Sequence, residues 1–359
     1  MNEALSNGNG RPIKVLVVDD SPMMCKAIEN ILTEDEKIEV AAKALSGKEA
    51  LKLLSNEAFD VCTLDVHMPG MNGLSVLKNI MVKHPLPTLM VSAFTGDGSR
   101  ITFEALRFGA VDFFKKPTRN GENEIKDQGE SLRKSLKRAS RVQVRAARYL
   151  RIRPLKDDAI RAAKLHCHAE NLDRLCLIYG STGGYSSILA IAPFLKSLSK
   201  GPVIVSLEVS KENLAAFVDY LRPYCLPYLS LVTEKVELRS GNIYFIPADH
   251  AAHFEKAGNV WEMTVRKRPI KSSKEGAIDL TLLSASELLG EGLLSVFVSG
   301  DSSHGMTGVK EVVRNKGRVV AQDLACCLAP YNPGLVIEKF GADSAEPYEL
   351  SNFINDWLL

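Results

Sequence analysis

The sequence lacks long hydrophobic runs, a strong charge bias and a dense cysteine pattern. No stretch approaches the roughly 20 apolar residues of a membrane span, so we expect no transmembrane segment. The 45 basic and 43 acidic residues leave a formal net charge of +2, which gives no argument for nucleic acid as a partner. The 7 cysteines are scattered and odd in number, which predicts reduced thiols and a cytoplasmic location.

The length and composition predict a globular protein with two domains. A chain of 359 residues is too long for one ordinary core. The hydrophobic fraction of 45% and the charged fraction of 25% are typical of globular proteins. The first residues lack the basic and then apolar pattern of a signal peptide, so we expect residues 1–12 to form a disordered lead-in.

Three carboxylates stand at the ends of two apolar segments in the first third of the chain. Asp19 and Asp20 follow the run Ile13–Val18, and Asp65 ends a second run just before a turn rich in glycine. On an open parallel sheet, ligands bind at the carboxyl ends of the strands. Three acids at one such edge repel each other unless a hard cation lies among them, which predicts a Mg²⁺ site.

Strand and helix patterns alternate from residue 13 to about residue 134, which predicts a parallel sheet covered on both faces. The predicted strands are Ile13–Val18, Glu39–Ala42, Val61–Asp65, Thr88–Ser92 and Asp112–Phe114. The predicted helices are Pro22–Thr33, Gly47–Asn56, Gly73–Lys83, Ser99–Phe108 and a last helix after Glu124. Ser21 followed by Pro22 is a good start for the first helix.

These residues resemble a response-regulator receiver domain, and the string Leu64-Asp65-Val66-His67-Met68-Pro69 is closest to the receivers of chemotaxis protein-glutamate methylesterases. The resemblance implies a flavodoxin-like domain over residues 13–134, with five parallel strands. Asp65 would be phosphorylated by a chemotaxis-type sensor histidine kinase. Asp20 and Asp65 would bind Mg²⁺ directly, Asp19 would act through water, and the backbone carbonyl of His67 would complete the protein ligands.

The same resemblance assigns a switch to three further residues. Lys116, which precedes Pro117, would pair with the phosphoryl oxygens. Ser92 would move to hydrogen-bond them, and Phe113 would then fill the vacated space. A charge added at Asp65 would thus shift Ser92 and Phe113 from one packing arrangement to another.

Residues 135–171 are expected to form a basic linker between the domains. The run of arginine and lysine that begins near Arg133 contains almost no acid before Asp157, and its first part has the helical spacing that completes the last receiver helix. A solvated tether is one interpretation, and a docking strip for an acidic partner or anionic lipid is the other. The segment His166-Cys167-His168 could bind a metal, but no second cluster stands at ligand spacing.

A second strand-to-turn motif opens the C-terminal half. The strand Leu175–Tyr179 runs into Gly180-Ser181-Thr182-Gly183-Gly184, and Ser186–Leu195 is predicted to be a helix. A serine on such a turn can be exposed as a nucleophile at the top of a sheet. The same turn can also bind an anion through the backbone N–H groups of a helix start.

From about residue 172 to residue 340 the sequence resembles the effector domain of the chemotaxis methylesterases. The motifs that carry this resemblance are the serine turn, residues 241–250, residues 278–286 and residues 319–323. The resemblance implies a doubly wound parallel α/β domain over residues 172–359 that needs no cofactor. It further implies hydrolysis of glutamyl methyl esters and deamidation of glutamines on chemoreceptors.

Two positions depart from the family pattern. Glu208 stands where the family has its catalytic histidine, and His304 stands where it has its catalytic aspartate. A glutamate is a poor acceptor for a hydroxyl proton, whereas His304 could serve Ser181 directly with Glu208 as the orienting acid. Asp301 adds a negative charge that opposes a developing oxyanion. The effector is therefore either a hydrolase with a Ser181–His304–Glu208 triad or an eroded esterase that serves as a phosphorylation-switched adaptor.

Overall fold

The computed structural model describes residues 11–92, 97–116, 122–142, 144, 152–156, 168–169, 172–196, 198–209, 211–247, 249–268 and 276–359. The chain divides into two compact units, Met1–Leu150 and Arg151–Leu359. Residues 1–10 of the predicted lead-in, Pro117 and most of the predicted linker, including His166 and Cys167, lie outside the described residues. Within these ranges, no helix is long and apolar enough to cross a membrane.

The part of the first unit that the structure describes has five strands and five helices in alternation. Its strands are β1 (Ile13–Val18), β2 (Ile38–Ala44), β3 (Val61–Asp65), β4 (Thr88–Ser92) and β5 (Asp112–Lys115). Its helices are α1 (Pro22–Leu32), α2 (Gly47–Asn56), α3 (Gly73–Lys83), α4 (Asp97–Arg107) and α5 (Glu122–Ala139). The sheet order is β2-β1-β3-β4-β5 with all pairs parallel, which confirms the predicted fold of this half.

The ends of β1 and β3 meet because of their register. Val18 is the partner of Leu64, so Asp19 and Asp65 follow side by side at the carboxyl edge of the sheet. Every residue of β3 is buried, as expected for a strand covered on both faces. The predicted start of α1 is also confirmed, since the Ser21 hydroxyl accepts a hydrogen bond from the backbone N–H of Met24 and Pro22 stands in the first turn.

In the second unit, the described residues form ten strands. They are β6 (Leu175–Gly180), β7 (Val203–Leu207), β8 (Tyr228–Leu231), β9 (Lys235–Glu237), β10 (Asn242–Pro247), β11 (His250–Ala257), β12 (Val260–Lys267), β13 (Leu293–Phe297), β14 (Arg318–Gln322) and β15 (Asp343–Ala345). Its α-helices are α6 (Gly184–Ile191), α7 (Lys211–Leu221), α8 (Ala277–Leu289), α9 (Met306–Arg314), α10 (Tyr331–Phe340) and α11 (Pro347–Leu358).

Seven of these strands form one parallel sheet in the order β15-β14-β13-β6-β7-β10-β8, which confirms the predicted doubly wound α/β domain. Strands β7, β8 and β10 follow β6 in the sequence and lie on one side of it in the sheet, and the later strands β13, β14 and β15 lie on the other side. The loops after β6 and β13 therefore diverge at the switch point, where open α/β sheets form their ligand sites.

Two features of the second unit differ from the sequence-based expectation. Strands β9, β11 and β12 form a separate antiparallel sheet, which the pattern of alternating strands and helices did not predict. The predicted helix Ser186–Leu195 instead begins at Gly184 and ends at Ile191, followed by the single 3₁₀ turn Ala192–Phe194. Pro193 lies in that turn and has no N–H to continue the helical ladder.

Candidate functional sites

The receiver site is a cluster of three carboxylates at the ends of β1 and β3. One ligand oxygen each from Asp19, Asp20 and Asp65 lies within 4.8 Å of the others. Asp19 is fully buried and Asp65 is 2% exposed, whereas Asp20 is open to solvent. Like charges held this close need a compensating cation.

Lys116, directly after β5, supplies one such charge. Its Nζ lies 2.8 Å from Asp19 Oδ2 and 2.9 Å from Asp65 Oδ2. Burial raises the pKa of Asp65, and the Lys116 ammonium offsets that rise only in part. Burial alone would lower the pKa of Lys116, but its two acidic partners reverse this and raise it. The lysine is therefore held as a cation between two buried carboxylates.

The donors of this cluster fit Mg²⁺. All three are hard carboxylate oxygens, and the exposed Asp20 leaves one side open for the water molecules that Mg²⁺ retains. The backbone N–H of His67 donates to Asp65 Oδ1 at 3.2 Å, and the His67 ring is exposed. Its carbonyl as a metal ligand stays a prediction.

The predicted switch residues lie on the two strands next to this cluster. Ser92 ends β4 and is buried, and its carbonyl accepts a hydrogen bond from the backbone N–H of Lys116 at 2.8 Å. Phe113 is half-buried, and its ring packs edge-on against that of Phe103, with centroids 5.9 Å apart. Their part in a switch stays a prediction.

The effector site begins with the serine turn after β6. Ser181 is 7% exposed, and its backbone N–H donates to the Ser299 carbonyl at 3.1 Å. The loop after β13 approaches so closely that a Cβ at Gly300 would lie 2.8 Å from Ser181 Oγ. The glycine therefore permits contact between two loops about 120 residues apart in the chain.

Asp301 is the hydrogen-bonding partner of the Ser181 hydroxyl. Ser181 Oγ donates to Asp301 Oδ1 at 3.1 Å and accepts from the Asp301 backbone N–H at 2.9 Å. Thr182 Oγ1 donates to the same carboxylate oxygen at 2.6 Å. Among the described residues, no hydrogen bond joins Ser181 to His304.

Glu208 and His304 do meet, as the predicted triad requires. Nδ1 of His304 lies 2.9 Å from Glu208 Oε1, and the imidazole is 50% exposed. Tyr179, the last side chain of β6 before Gly180, donates its hydroxyl to the same Glu208 oxygen. Burial, reinforced by the Glu208 charge, raises the pKa of Tyr179 far above its usual value, so the hydroxyl stays a donor.

The site therefore contains two separate groups of side chains. Ser181 and Thr182 contact Asp301, whereas Tyr179 and His304 contact Glu208. Ser181, Glu208 and His304 were predicted from the sequence as site residues, whereas Tyr179 was not. Its only signal was a large polar side chain at the end of an otherwise aliphatic strand.

Both halves of the chain match known protein families. Residues 15–127 match the family model of the response regulator receiver domain, and residues 176–354 match that of CheB methylesterase. A protein-glutamate methylesterase/protein-glutamine glutaminase of Pyrococcus abyssi is 30% identical over 341 residues, covering 95% of this chain and 92% of that protein. A protein of the same name from Methanococcus maripaludis is 32% identical over 340 residues, covering 91% and 92%.

One solved structure is similar to part of this chain. The response regulator domain of Thermotoga maritima CheB is 38% identical and covers 37% of this chain and 99% of that chain, with a TM-score of 0.34. The chain thus matches both family models, and the two relatives align with it along nearly its whole length. The chain belongs to the CheB family of chemotaxis response regulators, in which a receiver domain precedes a methylesterase domain.

Proposed function

We propose that this protein is a cytoplasmic response regulator whose effector domain is controlled by phosphorylation of Asp65. A chemotaxis-type sensor histidine kinase would be the phosphodonor. The observation that carries the proposal is the Lys116 ammonium set between buried Asp19 and Asp65, beside the exposed Asp20.

The residues of the receiver divide the work of phosphoryl transfer. The Asp65 carboxylate attacks the phosphorus of the kinase phosphohistidine in line, and the P–N bond to the departing imidazole breaks. Asp20, Asp65 and the His67 carbonyl would bind Mg²⁺ directly, and Asp19 would act through water. When bound, Mg²⁺ neutralises charge on the transferred group. Lys116 pairs with the new phosphoryl oxygens, which weakens its contact with Asp19. Ser92 and Phe113 then report the change to the domain surface.

For the effector domain, we propose a binding role rather than hydrolysis. A nucleophilic serine needs a base that takes its proton and later returns it. Ser181 instead donates to the Asp301 carboxylate, and a carboxylate is a weak base for a hydroxyl proton. The same negative charge would oppose an oxyanion formed on the attacked carbonyl.

One observation favours hydrolysis as a second candidate. The Glu208–His304 contact at 2.9 Å is an acid–imidazole pair of the kind that orients a catalytic base. If the His304 ring reached Ser181 in the phosphorylated protein, the Ser181–His304–Glu208 triad would be complete. The substrates would then be those in the relatives' names, protein glutamate methyl esters and protein glutamine. The resemblance to chemotaxis methylesterases implies that these side chains belong to chemoreceptors.

The receiver proposal is tested by phosphate incorporation from acetyl phosphate. We expect Mg²⁺-dependent incorporation that is lost in Asp65→Asn and kept in Asp60→Asn, which changes an acid paired with Arg11 outside the cluster. Equal incorporation in all three proteins would refute Asp65 as the acceptor.

The effector proposal is tested by labelling with a fluorophosphonate that reacts with activated serines. We expect no labelling at Ser181 with or without acetyl phosphate, together with phosphorylation-dependent binding to a chemoreceptor cytoplasmic fragment. Labelling that is lost in Ser181→Ala and His304→Ala, but kept in the exposed neighbour Ser303→Ala, would establish the hydrolase instead.

The domain limits 13–134, 135–171 and 172–359 are proposed with this function. Because α5 continues to Ala139 and Ile152 is buried, limited proteolysis should cut first between residues 140 and 151 and leave two stable fragments. Early cleavage inside either proposed domain would contradict these limits.

A further inference from the structure

One buried carboxylate lies at the start of two helices beside the effector site. Asp279, in the first turn of α8, is 4% exposed. Its Oδ2 accepts hydrogen bonds from the backbone N–H groups of Gly276 at 2.8 Å and Gly305 at 3.0 Å. Its Oδ1 accepts from the N–H of Gly308 at 2.9 Å. The first N–H groups of a helix have no partner within the helix, and here one side chain accepts from the N-cap residue of α8 and from the N-cap and third residues of α9.

Gly276, Gly305 and Gly308 allow the backbone to approach the Asp279 carboxylate this closely. Gly305 has φ +92, a left-handed conformation that other residues adopt at a cost. A Cβ at Gly308 would lie 2.9 Å from the Asp279 carbonyl oxygen and 2.6 Å from the Leu282 side chain. The start of α9 is thus pressed against the first turns of α8, with the Asp279 carboxylate in the contact.

His304 lies between the start of α9 and the Gly276 backbone before α8. It directly precedes Gly305, and a Cβ at Gly276 would lie 2.9 Å from His304 Cγ, so the ring packs on the Gly276 backbone. The side chain of Asn332 donates to the His304 carbonyl at 3.0 Å. The imidazole is left with its Nδ1 against Glu208.

We infer that Asp279 is a positioning residue that holds His304 against Glu208 by fixing Gly276 and Gly305 on one carboxylate. The use of this pair in catalysis rests on the second candidate function, hydrolysis, whereas the positioning itself does not. An acceptor with two oxygens and a full negative charge suits three N–H donors. An amide of the same shape offers one oxygen and sets an NH₂ group against the remaining donors.

The test is the ¹⁵N signal of the His304 ring in the full chain. The chain has 7 histidines, and the signal that disappears in His304→Gln identifies the ring. Glu208→Ala gives the position of this signal without the carboxylate partner. In Asp279→Asn we expect the Nδ1 signal to move from the wild-type position to the Glu208→Ala position.

The matched control is Glu349→Gln. Glu349 has the same task at the start of α11, where its carboxylate accepts from the Glu346 N–H at 3.2 Å. We expect this variant to leave the His304 signal unchanged. If the loss of any helix cap were enough to move the His304 signal, both variants would move it.

A second variant covers the case in which Asp279→Asn does not fold. Gly276→Ala keeps the carboxylate and places a methyl group against the ring, so it should also move the signal towards the Glu208→Ala position. An unmoved signal in folded Asp279→Asn, or in Gly276→Ala if Asp279→Asn does not fold, overturns the inference. Neither result depends on phosphorylation, labelling or receptor binding, which test the proposed function.

Discussion

Replacing Lys116 by methionine is the sharpest test of the receiver site, because it leaves two buried carboxylates without their cation. At 2.8 and 2.9 Å, each contact has a Coulomb energy of about 6 kcal/mol at an effective dielectric constant of about 20. Desolvation of the three charges offsets much of this sum. Removing one partner of a buried pair costs about 3–5 kcal/mol. Since Lys116 keeps 19% exposure, we expect a loss of about 3 kcal/mol.

The assay follows urea unfolding of the full chain by two signals, in EDTA so that no divalent ion replaces the lost charge. Both tryptophans, Trp261 and Trp357, lie in the second unit, so their fluorescence follows that unit alone. Far-UV circular dichroism follows both units. With a slope of about 1.5 kcal/mol/M, Lys116→Met should lower the midpoint of the receiver phase by about 2 M. The tryptophan transition should stay in place.

A compensating variant identifies the cause of the loss. Asp65→Asn removes one of the two like charges, so the double variant with Lys116→Met should recover part of the stability. Adding Mg²⁺ to Lys116→Met should also raise the receiver midpoint, since a ligand that binds only the folded state stabilises it. An unchanged circular-dichroism midpoint in EDTA would refute the electrostatic argument.

Two further predictions concern stability at other positions. Gly305→Ala should destabilise the second unit by about 2 kcal/mol, because φ is +92 and the new Cβ would lie 2.9 Å from the Phe297 ring. Gly341→Ala, with φ +64 and nothing within 4 Å, should cost only about 1 kcal/mol, and equal losses by tryptophan fluorescence would contradict the steric argument. Burial disfavours the charged Asp35 carboxylate, but the hydrogen bonds from Lys137 and the Lys37 backbone N–H, together with the charges of Lys137 and Arg133, outweigh it and hold the pKa of Asp35 below its usual value. The stability from this lowered pKa is present above about pH 4 and is lost as pH falls through the folded pKa. Asp35→Asn should therefore weaken the loss of receiver stability as the pH falls below about 4. An unchanged pH dependence of the unfolding midpoint would contradict a stabilising Asp35–Lys137 pair.

The receiver site could be predicted from the sequence to a large degree. Asp19 and Asp20 follow one apolar strand and Asp65 ends another, and parallel pairing brings such strand ends together whatever the detailed packing. Lys116 carried no comparable signal, because a lysine after a short strand is most often solvated. Only the resemblance to receivers placed it in the site.

The effector site could be predicted only in part. The register of β6 and β7 sets Gly180 opposite Leu207, so Ser181 and Glu208 follow side by side, as the positions of the two motifs indicated. The contact between Glu208 and His304 agrees with the suggested exchange of acid and base. The partner of the serine hydroxyl was not predicted, since Asp301 was considered only for its charge.

The sequence by itself determined that two open parallel sheets would form and which residues would stand at their carboxyl edges, because buried aliphatic runs and glycine turns act locally. Only the tertiary structure decided which acid each polar group meets. Ser181 contacts Asp301 and His304 contacts Glu208. That choice depends on how closely the loops after β6, β7 and β13 approach, and hydrogen bonds are made or lost over less than 1 Å.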